Sequence, residues 1–203
     1  MKICIFGDSI VWGKYNPKKG GWVDQLKNYF AKEDIGIYNL GIAGENTTKL
    51  LKRFEIEAKA REAEIIIFAI GINDTQFIHS GNDYRFSEDG FKINIRKLYE
   101  ISKDITKKIV FIGITSVDES RTDPIPWGPD KSYKNERIKK FNSIIENFCL
   151  ENNIFFISTN NLLDKKDLYD GLHPNHNGHD KIFKKVKKEL LKSEILKEEE
   201  NKR

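Results

Sequence analysis

The chain has 203 residues, enough for one domain; 38% of them are hydrophobic, lean but sufficient for a packed core, and the strongly periodic segments argue against disorder. The formal net charge is only +4, and most lysines stand at helical spacing beside glutamates; this is the pattern of solvated helix faces, not of a nucleic-acid binder's basic stripe. No apolar run reaches the ~20 residues that cross a bilayer, and Ile3 to Phe6 is too short for a secretory leader. The two cysteines, Cys4 and Cys149, lie in apolar segments and read as buried free thiols, so a cytoplasmic protein is expected, with no membrane and no nucleic-acid partner.

In chain order, an apolar strand over 2–6 (K-I-C-I-F) runs into Gly7-Asp8-Ser9, and a helix is predicted over about 21–33 with Trp22 in the core. A second strand, 36–40, feeds the polar turn N-L-G-I-A-G-E-N-T-T (39–48), where Asn39 should order the loop, and a helix over 47–60. The third strand, 64–70, ends in G-I-N-D (71–74). A loop with Phe77, His79, Tyr84 and Phe86 precedes a helix over 88–106, a fourth strand over 108–114, a loop carrying Trp127, and a helix over 132–151. The fifth strand, 153–158, leads to D-G-L-H-P-N-H-N-G-H-D (170–180) and a helix over 178–196. One domain over 1–197 is expected, and the tail at 198–203, with no apolar face, should fray.

The strands are continuous Ile, Val and Phe runs, as in sheets buried on both faces. Alternation with helices implies an α/β fold: a three-layer α/β/α sandwich around a flavodoxin-like parallel five-stranded sheet in the order 2-1-3-4-5. In that order the turns after strands 1, 2 and 3 become neighbours on the carboxyl edge of the sheet, where open α/β folds bind ligands. The turn after strand 5 opens onto the same edge.

A serine hydroxyl is a feeble nucleophile without a base within about 2.6–3.2 Å. His173 is the candidate base for Ser9, and Asp170, three residues earlier, can take the other imidazole N–H and fix the tautomer. Acyl transfer also needs donors where negative charge develops. The backbone N–H groups of Ser9 and Gly44 and the side-chain amide of Asn73 are the candidates.

G-D-S at 7–9, Gly44 in N-L-G-I-A-G, G-I-N-D at 71–74 and D-G-L-H at 170–173 resemble the four blocks of the SGNH hydrolases, the GDSL-type lipases and esterases. The one departure is Ile10 where the family has Leu. The resemblance implies a flavodoxin-like sandwich, Ser9 as nucleophile, His173 as base, Asp170 as its orienter, Gly44 and Asn73 as oxyanion donors, and no metal or organic cofactor. It implies a small-molecule ester as substrate; the lysine-rich loop Y-N-P-K-K-G-G favours a short-chain or acetyl ester. Trp12, Tyr15 and Trp127, on loops leaving the same edge, are candidate substrate contacts. Two other readings stand beside this one: a metal-dependent hydrolase using His173, His176 and His179, and a non-catalytic flavodoxin-like module binding an anion or nucleotide. The long C-terminal apolar pattern leaves a homodimer open. Asp8 is expected to be structural, and Asp74, Thr47 and Thr48 are expected to serve as helix caps and turn formers.

Overall fold

In the computed structural model, which describes residues 1–16 and 20–196, the apolar runs form strands β1 (Lys2–Gly7), β2 (Gly36–Gly41), β3 (Ile65–Ala69), β4 (Lys108–Ile112) and β5 (Phe155–Ile157). They pair in parallel in the order β2-β1-β3-β4-β5, the doubly wound order expected. The helices are α1 (Ser9–Trp12), α2 (Trp22–Tyr29), α3 (Thr47–Leu50), α4 (Phe54–Ala60), α5 (Glu88–Lys103), α6 (Glu119–Thr122), α7 (Asn135–Glu151) and α8 (His176–Lys192).

Side chains alternate between the sheet's faces, and each face has its own core. Phe6, Phe68 and Phe111 pack with Phe54 of α4, Phe91 and Leu98 of α5, and Phe141 of α7. Ile5, Ile67 and Val110 pack with Trp22 and Leu26 of α2 and Ile182 and Val186 of α8. Each fully buried side chain of this kind contributes roughly 1.5–3 kcal/mol. Cys4 and Cys149 are buried and free, as expected.

Besides shifts at element ends and the short α6 in the loop carrying Trp127, the structure departs from the expected elements in three places. The helix expected over 47–60 breaks between α3 and α4, because Arg53 turns back to bond the Leu40 carbonyl and Glu45. The helix expected from 132 starts at Asn135: Lys131–Ser132 instead pairs with Phe77–Ile78, which also pairs with Asp83–Tyr84, giving a small antiparallel sheet. The segment opened by Ser9 is itself a helix, α1, capped by Asp8, which accepts the Ile10 N–H at 2.9 Å. Among the described residues no helix is long and apolar enough to cross a membrane. The frayed tail expected at 198–203 lies outside the described residues, as do 17–19 of the lysine-rich loop.

Candidate active site

The turn from β1 into α1 is tight. A Cβ on Gly7 would stand 2.3 Å from both the Ala69 carbonyl oxygen and a Val11 methyl, so only glycine lets the chain pass. Ser9 thereby becomes the first residue of α1, where backbone N–H groups lack intrahelical acceptors. Its side chain meets His173, 164 positions away, with Oγ 2.9 Å from Nε2.

His173 is held from behind by Asp170. The carboxylate Oδ2 lies 2.7 Å from Nδ1, while Oδ1 accepts the backbone N–H groups of His173 at 2.8 Å and Leu172 at 3.0 Å. Burial opposes ionisation of Asp170, but the bonds from His173 and Leu172 outweigh it and keep the carboxyl below its ordinary value. The loop is clamped by Arg121, whose guanidinium reaches the carbonyls of Tyr169 at 3.0 Å, Leu168 at 3.2 Å and Lys165 at 3.3 Å. Arg121 is anchored on Asp118 at 3.0 Å.

Asn73 sits on a short 3-10 turn, Ile72–Thr75, after β3. Its Nδ2 donates to the Glu45 carbonyl at 2.8 Å, and its Oδ1 accepts from Tyr133 Oη at 2.8 Å and Gln76 Nε2 at 3.2 Å. These partners fix the amide's orientation, with Nδ2 toward the β2–α3 loop that carries Gly44. Gly44 has φ +73, in the region glycine tolerates best. The loop is pinned twice more. Arg53 pairs with Glu45, donating from Nε at 2.7 Å and from Nη2, and the Thr47 N–H donates to Asp74 at 3.1 Å. The cap of α3 is Asn46, not Thr47, and Asp74 holds that helix's start from outside. Asn39, expected to order the loop, accepts the Gly41 N–H at 3.2 Å within β2. Burial pushes both Asp8 and Asp74 up to about 7.

The model of the GDSL-like lipase/acylhydrolase family matches residues 5–181. The chain belongs to this family. It is a hydrolase, and the reading as a non-catalytic binding module falls. No curated protein matches. Solved structures similar to this one include a lipase/acylhydrolase from Enterococcus faecalis, 23% identical, with TM-score 0.75 over 93% of this chain and 94% of that one. A GDSL-like lipase from Bacteroides thetaiotaomicron is 22% identical, with TM-score 0.72 over 94% and 88%. An acetylxylan esterase from Geobacillus stearothermophilus is 20% identical, with TM-score 0.72 over 93% of each chain. These likenesses establish the sandwich fold.

The GDSL-like site is rimmed by aromatic rings. Tyr15 meets the His173 ring edge-on at 5.5 Å, and Trp127 lies 5.8 Å from it at 40°. Tyr169, which the sequence reading passed over although it directly precedes Asp170, stacks on Tyr15 at 4.2 Å. The Lys14 ammonium lies 4.8 Å from the Tyr15 ring and 5.6 Å from that of Trp127. Trp12 is 55% exposed on α1. Phe77 and Tyr84 instead pack on each other in the small sheet, and Tyr84 meets the Arg137 guanidinium at 4.3 Å.

The three histidines of the metal reading do not converge. Both ring nitrogens of His173 are engaged by Ser9 and Asp170. His179 is buried with Nε2 3.1 Å from the Lys14 carbonyl, tying α8 to the segment after α1, and His176 is exposed. Among the described residues, no group of three His, Cys, Asp or Glu side chains is placed to hold a metal.

Proposed function

We propose that this hydrolase is a serine esterase that cleaves short-chain carboxylic esters, acetyl esters above all, through an acyl-enzyme. The observation that carries the reading is the line from Ser9 Oγ through His173 to Asp170, at 2.9 and 2.7 Å. His173 Nε2 takes the Ser9 proton as Oγ attacks the ester carbonyl, and Asp170 keeps Nδ1 protonated and stabilises the imidazolium. The tetrahedral oxyanion is received by the N–H groups of Ser9 and Gly44 and the Asn73 amide. His173 then gives that proton to the leaving alcohol as the ester C–O bond breaks; it next deprotonates a water that attacks the acyl carbonyl, and returns the proton to Ser9 Oγ as the acyl group departs as a carboxylic acid.

The aromatic rim supports a compact acyl group with a larger alcohol. Tyr15 and Trp127 stand against the His173 ring and Tyr169 stacks on Tyr15, and we assign these rings to the leaving alcohol. The acetylxylan esterase among the similar structures points the same way.

Hydrolysis of p-nitrophenyl esters from acetate to palmitate, beside acetylated sugars, by the wild type and Ser9→Ala tests the reading. The acetate should be cleaved fastest, and Ser9→Ala should lose at least about 10⁴-fold in kcat with its circular dichroism unchanged. Activity retained by Ser9→Ala would remove the nucleophile. Preference for palmitate would remove the acyl assignment.

A further inference from the structure

We propose that Tyr133, Gln76 and Arg85 form a positioning relay that holds and polarises the Asn73 amide as an oxyanion donor. The inference rests on the esterase reading above and adds residues outside the four motif blocks.

The relay runs in one direction. Arg85 Nη1 donates to Gln76 Oε1 at 2.6 Å, and Gln76 Nε2 donates to Asn73 Oδ1 at 3.2 Å and to the Tyr133 hydroxyl. Tyr133 Oη donates in turn to Asn73 Oδ1 at 2.8 Å. Every link passes a hydrogen toward Asn73, starting from a guanidinium. Two donors on Oδ1 draw electron density from the amide and leave the Nδ2 hydrogens more positive. Chains of this kind strengthen cooperatively in a low-dielectric interior, and Asn73, Gln76 and Tyr133 are all buried. Burial is the chief cause that pushes the Tyr133 phenol up to about 12, so it keeps the proton it donates.

The small antiparallel sheet gains a purpose from this. Gln76 directly precedes Phe77–Ile78, Arg85 directly follows Asp83–Tyr84, and Tyr133 directly follows Lys131–Ser132. Each two-residue strand delivers one member of the relay. The Arg85 N–H also donates to the Gln76 carbonyl at 2.8 Å, fixing the two side by side.

A purely structural network would lose stability when cut but would not act through Asn73. Tyr133→Phe and Arg85→Gln, each in the wild type and in Asn73→Ala, separate the two. Tyr133→Phe should lower kcat on p-nitrophenyl acetate about 10-fold, with KM changed less than about 2-fold, and Arg85→Gln about 3-fold. In the Asn73→Ala background each should change kcat by less than about 2-fold, because the group they act through is gone. Equal losses in both backgrounds, or no loss, would overturn the relay. The Asn73 side-chain amide resonances, assigned by their absence in Asn73→Ala, give a readout free of catalysis and should move in both variants; unmoved resonances would also overturn it. If Tyr133→Phe does not fold, Arg85→Gln decides alone. Hydrolysis surviving in Ser9→Ala would instead strike the esterase reading and leave the resonances to judge the relay.

Discussion

Asp170 grips His173 twice. One carboxylate oxygen lies 2.7 Å from the ring Nδ1, and the other accepts the same residue's backbone N–H at 2.8 Å. A single side chain thus sets both the position of the loop and the tautomer of the ring.

Asp170→Asn separates these two tasks. The amide oxygen can still cap the loop, but an –NH₂ facing Nδ1 favours the tautomer with Nε2 protonated, which cannot accept the Ser9 proton. By analogy with triads elsewhere, kcat should fall by about 10³–10⁴ with little change in melting temperature. Steady-state kinetics and thermal denaturation of the variant check this; a loss below about 10-fold would show that the ring does not depend on Asp170.

Arg53 and Glu45 make a partly buried pair at the β2–α3 loop, with side-chain exposures of 17% and 4%. Removing the cation strands a carboxylate in the interior, which typically costs about 3–5 kcal/mol. Arg53→Ala should therefore unfold in markedly less urea than the wild type. A destabilisation under about 1 kcal/mol would mean that water reaches Glu45.

Asp8 makes stability pH-dependent in a defined direction. Its carboxyl is pushed from 3.8 up to about 7, burial being the main cause, with the charges of Asp74 and Glu45 adding to it. Between about pH 4 and pH 7 the unfolded chain releases this proton while the folded chain keeps it. The group's contribution is therefore full below about pH 4 and is lost as the pH climbs to about 7, by roughly 1 kcal/mol per pH unit. Asp8→Asn retains an acceptor for the Ile10 N–H and never ionises. Urea unfolding from pH 4 to 8 should show the variant gaining on the wild type up to about pH 7 and holding level beyond; parallel curves would rule the effect out.

The hydrogen-bonded line from Ser9 through His173 to Asp170 was readable in the sequence because each member stands in a short motif at a strand's end, and Asp170 and His173 lie within one loop turn. The sheet was readable because burial on both faces writes an unbroken apolar run. The supports behind the site left no such trace. Tyr133 is 60 positions from Asn73 and follows a strand of two residues, too short to show periodicity. The broken helix after Thr47 was hidden because its 3.6-residue pattern continues through Leu50 and Phe54, while the cause of the break, Arg53 reaching back to Leu40 and Glu45, is tertiary. Tyr169 stands directly before the D-G-L-H motif, but its stacking on Tyr15 is a tertiary contact that no local pattern announces.

The contact between Ser9 and His173 closes a loop of chain 164 residues long. A ribosome adds residues from the amino end, so Ser9 is made 164 residues before His173, and the contact between them cannot form until that later segment exists. Because β1 is paired on both sides, partial unfolding reaches the pair through the loop before α8, and turnover would fade earlier than the helical signal on heating.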